Sequence, residues 1–118
     1  MITEDYVSFE IAKLLKEKGF NEATFHEYSG RGVRWFEEVL INHNSQGGIA
    51  CPTLQMAMKW LREVHKIDIT VDPHEVGNYW IYEFSICQNK DYLFSRDVDT
   101  SYENCAEAAI KYCLENLV

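Results

Sequence analysis

At 118 residues, with 47% hydrophobic and 14% aromatic content, the chain reads as one folded domain with room for a real core, not a disordered tail. Its net charge of −8 repels phosphate backbones at long range, which argues against general nucleic-acid binding. No apolar run approaches the roughly 20 residues that span a bilayer, and MITEDYVSFE lacks a secretory pattern, so no membrane association and a cytoplasmic location are expected.

Ser8 to Gly19 is predicted to be a first helix. Ser8 caps it, Ile11, Ala12, Leu14 and Leu15 form its apolar stripe, and Gly19 with Phe20 suits a Schellman-type stop. Residues 21–51 are the loop-rich part. Ala23 to Tyr28 reads as a short strand and Ser29 to Gly32 as a turn. Val33 to Asn42, VRWFEEVLIN, fits both a helical stripe and a strand; we read a strand that pairs with 23–28 in a hairpin. Asn42 to Gly48 is then expected to be a polar, mobile loop.

From Thr53 the pattern sharpens. Thr53 is a good N-cap, and Leu54, Ala57, Leu61 and Val64 recur at steps of three and four, flanked by Met58 and Trp60. After His65 the period becomes two, giving a strand over Ile67 to Val71 and a turn over Asp72 to Gly77. Asn78 to Ile86 is the best strand signal, with Trp80, Tyr82, Phe84 and Ile86 on one face and Tyr79, Ile81, Glu83 and Ser85 on the other. A third strand, Tyr92 to Arg96, follows the turn Gln88 to Asp91. Thr100-Ser-Tyr-Glu103 reads as a capping box for a last helix that turns Tyr102, Ala106, Ala109, Ile110, Cys113 and Leu117 inward.

The expected class is therefore α+β. Two helices pack on one face of a three-stranded antiparallel meander, in the order α-β-β-β-α, preceded by an N-terminal helix and a short hairpin. Leu61, Val64, Trp80, Phe84 and Ile110 are expected to be buried together.

That order resembles the double-stranded-RNA-binding domain in topology alone. Such domains hold phosphates with basic residues at the start of the last helix, and here Arg96 to Glu103, RDVDTSYE, is acidic. A closer likeness is carried by Val7 to Phe20 (VSFEIAKLLKEKGF), Pro52 to His65 (PTLQMAMKWLREVH) and Tyr102 to Ala109 (YENCAEAA). These stretches resemble a family of small proteins of bacterial prophages and mobile elements, especially of gut bacteria. The likeness leaves out residues 25–50, and the family carries no established activity to transfer.

Candidate chemistry is sparse. Cys51, Cys87, Cys105 and Cys113 form no CxxC pair, and Cys105 and Cys113 lie about 12 Å apart along one helix, so reduced thiols are expected. Cys51 precedes a helix N-terminus but has no base beside it in sequence; His26, His43 and His74 are only candidates in space. His65, Asp68, Asp72 and His74 match no zinc spacing. Asp97, Asp99, Ser101 and Glu103 alternate like half a calcium loop, yet Tyr102 occupies the glycine position and Ala108 the bidentate glutamate position. No catalytic, metal or cofactor residue is assigned.

The aromatic surplus is the stronger clue. With Trp80, Tyr82 and Phe84 under the helices, Tyr79 and Ile81 lie on the opposite sheet face. Either Trp35 and Phe36 cover them, which is the expectation, or a partner does. These four residues define the candidate interaction surface. The expected function is a small non-enzymatic accessory or protein-interaction protein, with an unknown partner or a second copy of itself. An enzyme with a site around residues 25–50 and an acidic DNA-mimicking inhibitor are the alternatives.

Overall fold

A computed structural model describes residues 1–118 and shows an α+β protein of three helices and two three-stranded antiparallel sheets. The chain forms two compact units, Met1–Ala57 and Met58–Val118.

The first unit begins with α1, Phe9–Glu17. Ser8 Oγ accepts from Ile11 N at 3.3 Å, and Gly19 at φ +94° ends the helix. Phe20 N–H then reaches Leu15 O at 2.9 Å and Gly19 N–H reaches Lys16 O at 3.2 Å, the two bonds of a Schellman stop. The sheet is ordered β2-β1-β3, with β1 Thr24–Tyr28, β2 Arg34–Ile41 and β3 Ile49–Ala50. The expected hairpin is present, but its register slips. Thr24 faces Ile41 while His26 faces Phe36, so residues 37–40 lie against the single residue Phe25. Val7, Ile11, Leu15, Phe20, Ala50 and Leu54 are buried in this unit.

The stretch 42–48, expected to be a mobile loop, is a single 3-10 turn at His43–Gln46 tied on both sides. Asn44 donates from Nδ2 to Phe20 O at 2.9 Å and accepts at Oδ1 from Ala50 N at 2.8 Å. The Asn44 side chain thus joins a backbone carbonyl just after α1 to a backbone N–H of β3.

Helix α2, Leu54–His65, contains the division between the units. Thr53 caps it as expected, its Oγ1 accepting from Met56 N at 3.0 Å. Leu61 and Trp60 are buried, but Val64 is 53% exposed, a departure from the expected stripe. The inner face follows Leu54, Ala57, Met58 and Leu61, and Trp60 closes the end of the helix edge-on against the His65 ring at 4.7 Å.

In the second unit the sheet is ordered β4-β5-β6, with β4 Ile67–Val76, β5 Tyr79–Gln88 and β6 Asp91–Asp97. The segment expected to turn at Asp72–Gly77 instead continues as strand to Val76. Pro73 is tolerated there because β4 is an edge. Its partner Tyr82 spends both backbone groups on residues 98 and 99, at 2.9 and 2.7 Å, so the proline's missing N–H falls on the open side. Gly77 at φ +60° and Asn78 form the two-residue hairpin loop; Asn89 and Lys90, at φ 52° and 70°, form the next, a primed turn with both central residues left-handed.

Helix α3, Tyr102–Asn116, lies on β4 and β5. Phe84, Ile86, Ile110, Cys113 and Leu114 are buried, and Tyr112 stacks edge-on against Phe94 at 4.6 Å. Two expectations fail here. Trp80 is 60% exposed, because the β4–β5 hairpin runs on past the covered part of the sheet. The cap is Ser101, not Thr100: Ser101 Oγ accepts from Asn104 N at 3.1 Å and donates to Glu103 Oε2 at 3.2 Å. Asp99, whose Oδ1 takes the Ser101 N–H at 2.7 Å, moves the helix start one residue on.

Candidate functional site

Three places in the molecule bear on function, each within one unit. The first is the buried imidazole of His43. The 3-10 turn places its ring inward, only 4% exposed, with Nε2 at 3.1 Å from Thr24 O and Nδ1 at 3.2 Å from Glu27 Oε2. A carbonyl and a carboxylate both accept, so both contacts are satisfied only when each ring nitrogen carries a hydrogen. Gly48 makes this possible: a Cβ there would sit 2.6 Å from Glu27 Oε2 and 3.2 Å from His43 O. Lys16 Nζ donates to Gly48 O at 2.5 Å and closes the same corner. Beside it lies a cleft of about 380 Å³ lined by Glu27, Glu37, Ile41, His43 and Gly48. Both ring nitrogens thus lie against fixed partners, and the imidazole clamps the 3-10 turn to β1.

The second place is β2 itself. Trp35, Phe36, Val39 and Leu40 are 57, 63, 64 and 52% exposed, on an edge strand whose two faces both carry large apolar groups. His26, between Tyr6 at 4.2 Å and Phe36 at 5.2 Å, has its pKa held below the ordinary value by partial burial and by the Arg34 charge. Tyr79, the third member of the expected surface, is 60% exposed at the tip of the β4–β5 hairpin, and Ile81 is half-buried.

The third place is the face of the second sheet turned away from α3. Strand alternation puts Asp68, Thr70, Asp72 and His74 of β4 there with Ile81, Glu83 and Ser85 of β5 and with Ser95 and Asp97 of β6. The Ser85 and Ser95 hydroxyls, 2.7 Å apart, confirm that facing. Asp72, Glu83 and Asp97 are directly opposite one another across the three strands. His74 leans over that row, with Nδ1 3.9 Å from Glu83 Oε2 and Nε2 3.9 Å from Asp97 Oδ2. Arg96, the one basic residue in these strands, is on the other face, its guanidinium over the Phe84, Phe94 and Tyr112 rings.

The remaining candidates resolve otherwise. Cys51 is buried, and its thiol donates to Val7 O at 3.7 Å. No cysteine is in a disulfide. Burial and the Asp99, Asp97 and Glu83 charges push the Cys105 thiol up to about 11, and burial alone pushes Cys113 to about 12. The alternating Asp97, Asp99, Ser101 and Glu103 divide between two tasks: Asp97 joins the sheet face, while Asp99 and Ser101 organise the helix start. Of the four residues with broken zinc spacing, only His74 enters a donor group, and its neighbours there are Glu83 and Asp97, not His65 and Asp68.

Glu27, His43, Glu83 and Asp97 were not singled out together by sequence. One signal was available for the sheet face: once β4 is allowed through Pro73, parity alone aligns Asp72 and His74. No helix is long and apolar enough to cross a membrane. Comparison with family models, with curated proteins and with solved structures finds no match to this chain.

Proposed function

We propose that this is a non-enzymatic accessory protein of mobile-element origin that works in the cytoplasm by protein–protein contact, with a second copy of itself as the first partner. The mobile-element origin rests on the resemblance of the Val7–Phe20, Pro52–His65 and Tyr102–Ala109 stretches. The contact rests on one observation: β2 is an edge strand with Trp35, Phe36, Val39 and Leu40 all more than half exposed. Such an edge offers unpaired backbone groups together with apolar area, the combination that strand addition uses. Antiparallel pairing of two β2 strands about Phe36 sets Arg34 of one copy against Glu38 of the other, which favours a second copy over an unrelated strand. The same proposal takes α2 to lie beside α3 over the second sheet, a reading supported by the complete burial of Leu61, Phe84 and Ile110.

Size-exclusion chromatography with light scattering tests the contact. A dimer at micromolar concentration is expected, with Phe36→Lys returning it to monomer and leaving the circular dichroism unchanged. A wild-type monomer at every concentration, or a dimer indifferent to Phe36→Lys, contradicts it. The enzymatic alternative has a cleft in the right stretch of chain, but the one imidazole in it is buried and held against Thr24 O and Glu27.

A further inference from the structure

We infer that His74, Glu83 and Asp97 form a binding site for a borderline divalent transition-metal ion of the zinc class, on the open face of the second sheet. One imidazole nitrogen and two carboxylate oxygens are the donors that suit such ions. Their ligand atoms all lie within 4.8 Å of one another. Donors about 2.0–2.2 Å from a tetrahedral metal are about 3.4 Å apart. The 3.9 Å contacts run from Nδ1 to Glu83 and from Nε2 to Asp97, so one ring nitrogen serves as the ligand and a set of donor atoms within 4.8 Å closes on the ion by rotation of the exposed His74 and Asp97 side chains. Three paired strands supply the three donors, so the backbone positions are held by the ladder: Glu83 faces Asp97, and His74 faces Ile81 two residues before Glu83.

The charge on this face supports the same conclusion from a different direction. Like charges directly opposite one another in a sheet are unfavourable, and here Asp72, Glu83 and Asp97 stand in one row on three neighbouring strands. Asp68 adds a fourth carboxylate to the face, and Arg96 is turned to the other side under α3's Tyr112. Only the His74 ring is near enough to relieve the row. A bound dication neutralises it and leaves one or two coordination positions for water or for Asp72. The donor set joins a histidine to two carboxylates within 4.8 Å, which separates it from surface carboxylates such as Glu37, Glu38 or Glu115.

Uptake of zinc chloride by the tag-free, reduced 118-residue chain is measured by isothermal titration, with cobalt chloride as the spectroscopic probe. One equivalent is expected to bind and raise the melting temperature. The cobalt complex should show visible d–d bands without the near-ultraviolet charge-transfer absorption of thiolate ligation, which excludes binding at Cys87. His74→Ala and Asp97→Asn should each weaken uptake by about tenfold or more, by analogy with the losses seen when metal-site partners are removed. Both residues are exposed, so neither change disturbs the core. Asp68→Asn, on the same face but outside the donor group, should bind as wild type. Absence of uptake, uptake that survives His74→Ala, thiolate bands, or equal loss in Asp68→Asn each overturns the assignment.

Discussion

In the second sheet β4 and β5 stay in register over ten residues, from Ile67 opposite Gln88 to Val76 opposite Tyr79. In the first, β1 and β2 lose register after His26 opposite Phe36, and β3 contributes only two residues. The difference follows from side-chain pattern. Ile67, Ile69 and Val71 alternate with Asp68, Thr70 and Asp72, and a one-residue slip would turn that whole apolar set to water. Arg34 to Ile41 carries large apolar groups at Trp35 and Val39 on one parity and at Phe36 and Leu40 on the other, so no single register is favoured by burial. A strand with two apolar faces is poorly specified within its own chain, and it is the strand left open here.

If that contrast is right, truncation should separate the two sheets sharply. Phe84→Ala and Leu61→Ala remove fully buried side chains and should cost about 3–5 and 2–5 kcal/mol, against a typical total of about 5–15 kcal/mol. Phe36→Ala, in monomer, should stay within about 0.5 kcal/mol, as surface changes do. Urea unfolding monitored by circular dichroism reads all three. A Phe36→Ala loss as large as that of Phe84→Ala would mean that β2 is covered in solution.

The first sheet, lacking a long ladder, is held instead by the His43 clamp, and breaking the clamp comes next in size. His43→Ala leaves the Glu27 carboxylate and Thr24 O without their partner and opens a cavity, at about 2–3 kcal/mol. Gly48→Ala should reproduce part of that loss without touching either partner, because its methyl occupies the space the carboxylate needs. Amide hydrogen exchange should show faster opening in residues 24–50 for both variants, with β4–β6 unaffected. Slow exchange retained around Thr24 in His43→Ala would remove the clamp from the account.

How much of this was legible in the sequence follows the same division. Helix caps at Ser8 and Thr53, the α1 stop at Gly19 and the inward face of β5 at Phe84 and Ile86 are local signals, and each is found where its residues place it. Pro73 misled because a proline reads as a turn unless the strand is known to be an edge, which is a property of the whole sheet. Trp80 and Val64 misled because parity says which way a side chain points, not where the covering helix ends. The His43 turn carries no periodic signal at all. Asn44 and Gly48 matter through contacts with Phe20, Ala50 and Glu27, distant in the chain. The His74 group needed the register of three strands at once.

The pH dependence has opposite signs in the two units. In the second, Cys105 and Cys113 are raised to about 11 and about 12 from 9.0, so the fold keeps both thiols protonated after the unfolded chain has lost those protons. The unfolded state then binds fewer protons than the native one, and stability falls as pH rises from about 9 toward 12. In the first unit the lowered pKa of His26 keeps its ring neutral while the unfolded chain protonates below 6.5, so stability falls as pH drops through that region. The acid effect should be the weaker of the two, since His26 is only partly buried. Urea midpoints from pH 5 to 11 for wild type, Cys113→Ala and His26→Gln separate these contributions. Cys113→Ala should flatten the alkaline limb alone and His26→Gln the acid limb alone, and iodoacetamide should leave Cys105 and Cys113 unmodified in the native state at pH 7. An acid limb that persists unchanged in His26→Gln would transfer that effect to other groups, and rapid labelling of Cys113 would mean that α3 leaves its sheet far more often than its burial implies.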